Sequence, residues 1–317
     1  MNRRFLALAL VLAFAVGALW GRYFDKALRL LPTFKSTSTV SGDPGPLLTL
    51  TMRNIAYPRE DPGREQWAQS YAQRQRVVQL PVEQAALILI DVWDTADNFS
   101  NPVVQERTEN IIRTTIRPLL LAARKAGLFV IHAPHRPIGE DGRNRSPTLE
   151  FRQPQATSRQ QLPRLVQPGP SWPPAEFRYR VKGFGQFARF TYPAYMPSLQ
   201  VQGIHPLVAP VIGKREVIAS KPERVRRILT KHGILHLFYA GFNANMCVTQ
   251  RPVGIKNMSA EGYNTVLLRD ATLGTEFDES VEGQWVTEAS ILDTEINYGF
   301  TALASELESQ LERIFRE

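Results

Sequence analysis

Residues Ala85 to Ile90, "AALILI", are apolar without interruption. A strand with one wet face alternates apolar and polar residues, whereas a strand buried on both faces does not. Six residues are also few for a helix. The run therefore predicts a central parallel strand, and the chain around it has to supply helices for both faces of the sheet. It does so in a regular rhythm. A periodic helix is predicted from about Val104 to Ala126, closed by Gly127. A buried strand follows at Leu128 to Ala133 and a third at Arg215 to Ser220, the latter leading into a helix with Pro222 in its first turn. Further strands are expected at Leu235 to Ala240 and Asn264 to Leu268, separated by a helix from Cys247 to about Glu261 that stops at Gly262. A last helix, Thr301 to Arg316, places Leu303, Leu307, Leu311 and Ile314 on one face. Ahead of this series, Pro46 to Met52 and Arg76 to Leu80 read as an N-terminal hairpin. The fold class predicted is α/β, a doubly wound, mainly parallel sheet flanked by helices.

Two segments stand outside that rhythm. Residues 136–202 are rich in proline, arginine and glutamine, with aromatics such as Phe177, Tyr179, Phe184 and Phe190 in the second half. They read as a long insertion in the 47–317 domain, either packing a small core of its own or covering a site or oligomer contact. At the other end, "MNRR" precedes sixteen uncharged residues, Phe5 to Trp20. Residues 1–32 therefore read as a signal peptide or signal anchor, and residues 33–46 as a linker. The expectation is a membrane-anchored or exported protein whose catalytic domain is extracytoplasmic.

The formal charge is +8, but the charge runs are short and mixed, with no basic stripe interleaved with aromatics, so nucleic acid is not an expected partner. The only cysteine, Cys247, rules out an intrachain disulfide and a multi-cysteine metal site. It lies between a strand and a segment of helical spacing, where helix-end amides favour a thiolate. Asp91 and Lys221 also follow apolar strands. In an open parallel sheet, ligands bind beyond the carboxyl ends of the strands, so polarity brings all three residues to one edge. A carboxylate to move the thiol proton, a cation beside the sulfur and backbone amides in "GFNANMC" for an oxyanion make a set suited to acyl transfer.

The motifs "ALILIDVWD", "IHPLVAP…EVIASK", "GILHLFYAGFNANMCV" and "GYNTVLLRDA", over roughly Leu80 to Asp270, resemble those of the isochorismatase-like cysteine hydrolases. The resemblance implies a six-stranded parallel sheet, an oligomer and a catalytic triad of Asp91, Lys221 and Cys247. It also implies a non-proline cis peptide between Phe242 and Asn243, and an oxyanion hole from the amides of Asn243 and Cys247. Trp93, Asp94, His132 and Phe242 are the candidate pocket residues. Nicotinamidases of the family carry an Asp-x-His metal motif after the second strand. Here that stretch is "IHAPHRP", in which His132 and His135 lack the acid, so no metal and no cofactor are expected. Asn245 also stands where the family has an aspartate. Isochorismatases proper mostly lack the thiol, so Cys247 favours amide chemistry. The expected function is hydrolysis of a small non-peptide amide or ureido C–N bond through an acyl-thioester. The alternatives are a catalytically silent, membrane-tethered scaffold or a zinc-assisted, nicotinamidase-like enzyme.

Overall fold

The apolar run Ala85–Ile90 is a strand, and it lies near the middle of an eight-stranded sheet. The computed structural model describes residues 45–56, 72–94, 101–135, 170, 173–178, 203–213 and 215–316. They belong to one unit beginning at Pro44. The expected export segment at 1–32, nearly all of the linker and most of the 136–202 insertion lie outside the described residues. No helix among the described residues is long and apolar enough to cross a membrane.

The strands are β1 (Leu47–Ala56), β2 (Ala72–Pro81), β3 (Ala85–Ile90), β4 (Phe129–Ala133), β5 (Glu216–Ile218), β6 (His236–Phe242), β7 (Asn264–Leu273) and β8 (Phe300–Ala302). Their order across the sheet is β2-β1-β8-β7-β6-β3-β4-β5. From β3 to β8 the neighbours pair in parallel, giving the six parallel strands; β1 and β2 form the antiparallel hairpin. That hairpin joins the sheet through the antiparallel pairing of Arg53 with Thr301 on β8. From β3 the chain winds outward through β4 to β5, then returns to lay β6 on the other side of β3. The winding direction therefore reverses between β3 and β6, the kind of switch point beyond whose carboxyl ends open α/β sheets bind ligands.

Helices α1 (Pro102–Ile111), α2 (Arg117–Lys125), α3 (Ala175–Arg178), α4 (Pro222–Lys231), α5 (Ile255–Ala260), α6 (Trp285–Asn297) and α7 (Ala304–Arg316) are the described helices. Side chains of β3 alternate between two cores. Leu87 and Leu89 join Leu119, Leu120, Leu307 and Leu311 on one face. Ala86, Ile88 and Ile90 join Val225, Leu229, Ile255, Met258 and Ile291 on the other. All six β3 residues are buried, at about 1.5–3 kcal/mol for each large side chain.

Several boundaries differ from expectation for local reasons. The helix predicted over 104–126 starts at Pro102, where the Asn101 side chain accepts hydrogen bonds from the amides of Val103 and Val104. It is interrupted by a π-turn at Ile112–Ile116. Pro118 lacks the N–H that would bond four residues back, and a widened turn just before it accommodates the ring. The helix predicted from Cys247 to Glu261 is instead a π-turn, Ala244–Val248, an irregular stretch through Pro252, and α5. Helix α6 was not anticipated, because Thr287, Ser290, Thr294 and Glu295 occupy its buried side and blur the apolar period. Strand β8 takes the residues predicted to begin the last helix.

Candidate active site

The reversal between β3 and β6 sets the candidate centre. The two strands run in register from Ala85 beside His236 to Ile90 beside Gly241. At Gly241 the backbones come so close that a Cβ would lie 1.9 Å from the Ile90 carbonyl oxygen, and φ is +119°. Only glycine fits there. The next peptide, Phe242–Asn243, is cis, as the family resemblance implied. Opposite it, Asp91 ends β3 with φ of +48°, a left-handed conformation that aspartate tolerates better than most residues. The π-turn after β6 then carries Cys247 to the same edge, braced by the Thr249 hydroxyl donating to the Ala244 carbonyl at 2.6 Å.

Asp91 is 3% exposed, and one of its carboxylate oxygens lies within 4.8 Å of the Cys247 sulfur. Asp91 accepts the backbone N–H of His135 at 2.5 Å and a guanidinium N–H of Arg251 at 3.3 Å. Burial raises the Asp91 carboxyl above its ordinary range, and this outweighs the opposing effects of Arg251, the thiol and the His135 amide. Burial likewise raises the thiol of Cys247. The negative charge of the adjoining Asp91 adds to it, against weaker pulls from Arg251 and the Asn243 amide, and the thiol is pushed up to about 12. Both effects oppose the thiolate that the sequence leads one to expect. Cys247 sits inside a five-residue π-turn rather than at the start of a long helix, and its nearest charge is negative. The resting centre is a thiol whose neutral form is favoured, beside a buried carboxylate.

The other expected residues separate into groups. Lys221 precedes α4 beyond the edge strand β5, two strands away from β3; it is exposed and makes no cap hydrogen bond. Among the described residues it touches neither Asp91 nor Cys247, and the cation at the centre is Arg251, 12% exposed. His132, expected in the pocket, is instead buried in the sheet, with Nε2 at 2.8 Å from Glu216 Oε1. Phe242, also expected there, is 4% exposed within the larger core. Trp93 and Asp94 are half-buried just past Asp91. They are pinned by a bridge from Trp93 to Ile204 and by the Asp94 N–H donating to the Gly203 carbonyl at 3.0 Å. The Asn243 amide exerts a weak downward pull on the Cys247 thiol.

Metal chemistry was tested on the same residues. His132 is taken by Glu216 and Ala133 stands where the family motif needs an acid, so the two histidines do not form the nicotinamidase-type site. Asp91, His135 and Cys247 do bring ligand atoms within 4.8 Å of one another. Arg251, however, already places a fixed positive charge on that carboxylate. An open cleft of about 410 Å³ lies along Asn245, Thr249, Phe277 and Trp285, and neither Asp91 nor Cys247 lines it.

Sequence reasoning missed Arg251, although a signal existed. It lies four residues after Cys247, a spacing that puts two side chains on one side of a helical turn. Its own N–H donates to the Cys247 carbonyl at 3.3 Å.

A family model described as "Isochorismatase domain" matches residues 85–286. Among solved structures, a cysteine hydrolase from Pseudomonas syringae pv. phaseolicola 1448A is similar at 18% identity, covering 74% of this chain and 94% of its own, with a TM-score of 0.45. An isochorismatase from Pseudomonas putida KT2440 is similar at 18% identity, with coverage of 71% and 90% and a TM-score of 0.38. An N-carbamoylsarcosine amidase from Thermoplasma acidophilum is similar at 12% identity, with coverage of 70% and 96% and a TM-score of 0.36. No curated protein matches the chain.

Proposed function

The chain belongs to the isochorismatase family of hydrolases, and on that premise we propose that it is a cysteine-nucleophile amidohydrolase acting on a small non-peptide amide or ureido C–N bond. The observation that carries the reading is the placement of the Cys247 sulfur within 4.8 Å of a buried Asp91 carboxylate oxygen, at the point where the sheet reverses. A thiol with a pKa near 12 is a poor nucleophile until its proton leaves. A carboxylate whose own affinity for protons is raised is placed to take it.

The steps follow from that pair. The sulfur forms a bond to the substrate carbonyl carbon while its proton passes to Asp91. The carbonyl oxygen becomes an oxyanion, which the amides of Asn243 and Cys247 receive; in support, the cis Phe242–Asn243 peptide stands directly before the turn that carries Cys247. The C–N bond then breaks, and Asp91 returns its proton to the departing nitrogen, leaving an acyl-thioester. Water attacks the thioester, Asp91 takes one of its protons, and the thiol is restored as the acid leaves. Lys221, the third member of the family triad, enters as a cation that reaches the centre only with substrate bound. Trp93 and Asp94 border the carbonyl-binding side.

The test is a screen of small amides and ureides against purified protein, with intact-mass detection of an acyl-enzyme. An adduct on the wild type that is absent from Cys247→Ala supports the reading. Turnover retained by Cys247→Ala sinks it.

We further propose that residues 1–32 export and tether the chain, on the strength of the sixteen uncharged residues behind two arginines. A C-terminal alkaline phosphatase fusion should then be active in the membrane fraction; an inactive fusion overturns the topology.

A further inference from the structure

We propose that Arg251, rather than Lys221, is the fixed cation of the resting reactive centre and the residue that positions Asp91 against Cys247. The inference rests on the amidohydrolase reading and goes beyond it, because no motif of the family placed a cation at this position.

The geometry is that of a clamp. Strand β3 lies between β6 and β4. Arg251, in the turn after β6, reaches past the end of β3 to the end of β4, a lateral span of roughly 10 Å at two strand spacings. Its Nη1 donates to Asp91 Oδ1 at 3.3 Å and to the Ala133 carbonyl at 2.6 Å, and its Nη2 donates to the Pro134 carbonyl at 3.1 Å. One planar group therefore holds the acid at the end of β3 and the backbone leaving β4. That backbone in turn supplies the His135 N–H to the same carboxylate oxygen. A lysine could supply the charge but not this fork of donors.

Arg251 also acts electrostatically. The ionisable groups facing Asp91 are Cys247 from the turn after β6, Arg251 just beyond it and His135 from the segment after β4. Arg251 is the permanently charged member, and it favours the ionised form of both Asp91 and Cys247. Lys221 is exposed and touches neither among the described residues.

Because Cys247 is the only cysteine, alkylation by iodoacetamide reads this one atom without a known substrate. The rate at pH 9 follows the thiolate fraction. Arg251→Met should slow labelling about tenfold, the effect of a one-unit rise in thiol pKa. Arg251→Lys should stay within about threefold of wild type, and Lys221→Met should label like wild type. A purely structural role predicts the opposite sign for Arg251→Met, since loosening the turn exposes the sulfur and speeds labelling. Labelling by Arg251→Met at or above the wild-type rate overturns the proposal, as does slowing by Lys221→Met that exceeds that of the arginine variants. If melting curves show Arg251→Met to be unfolded, Arg251→Lys against Lys221→Met decides by the same criterion. Turnover in Cys247→Ala would instead overturn the amidohydrolase reading itself, so the two failures are distinct.

Discussion

Two buried carboxylates, one just past the carboxyl end of β3 and one at the start of β5, are each in contact with an arginine, and they behave in opposite ways. Glu216, at the start of β5, receives two donors from Arg124, at 2.8 and 2.7 Å, as well as the His132 ring and the Val211 amide. Burial pushes its carboxyl up, but those hydrogen bonds prevail and hold it at about 2. Asp91 has one longer contact with Arg251, whose remaining donors go to backbone carbonyls, and a thiol whose proton can move. Its carboxyl is raised instead. The difference shows that an arginine partner does not by itself make a carboxylate inert. A fork closed on both oxygens fixes the charge, whereas a fork shared with the backbone leaves the oxygen able to accept a proton. The first arrangement suits architecture and the second suits catalysis.

The sharpest way to break this contrast is to neutralise each acid in turn. Asp91→Asn should lower turnover by at least about 10²-fold, the scale of general acid–base catalysis. It should also speed iodoacetamide labelling at pH 9, because the negative charge that holds the thiol proton is gone. Near-normal turnover would hand the proton transfer to another group, with Asp94 the first to examine. Glu216→Gln should do the reverse. The folded protein should keep its turnover, while stability falls by about 3 kcal/mol, the low end for breaking a buried ion pair. A urea melt with unchanged slope checks the second half.

Acid titration of stability separates the two next. Glu216 has a folded pKa below its ordinary 4.5, so its contribution is present above about pH 4.5 and is lost as pH falls toward 2. Asp91 has a raised folded pKa, so ionising it on the way up from acid weakens the fold. Wild type should therefore lose stability between pH 4.5 and 2 by more than Glu216→Gln does. Equal acid slopes would remove Glu216 from the account. The smallest effect expected is that of a chelator, which should leave turnover unchanged. Loss restored by added zinc would recast Asp91, His135 and Cys247 as metal ligands.

How much of this was legible in the sequence depended on how local the cause was. Strands β3, β4 and β6 were readable because burial on both faces removes the polar alternation, and Asp91 and Cys247 followed from strand polarity. Pro118 and Pro252 carried the two helix interruptions in plain view, but a proline does not announce whether a helix kinks, widens or ends. The clamp by Arg251 was not readable by periodicity, because it depends on β6 lying next to β3 while β4 lies on the far side. Lys221 was placed at the right edge of the sheet. Its distance from Asp91 is set by β4 standing between, which only the strand order reveals. His132 looked like a site residue because a strand-end histidine carries no mark of the buried Glu216 that awaits it, 84 residues later.

The pairing of β3 with β6 has a consequence for how the chain becomes reactive as it is made. Asp91 and Arg251 are 160 residues apart, and the cysteine lies close to the second of them. A chain emerging N-terminus first presents the acid early and has no nucleophile beside it until most of the sheet has been synthesised. Contacts of such long range also form slowly. Truncated or nascent chains therefore lack the assembled pair, and it arrives in one step, when the second half of the sheet closes on the first.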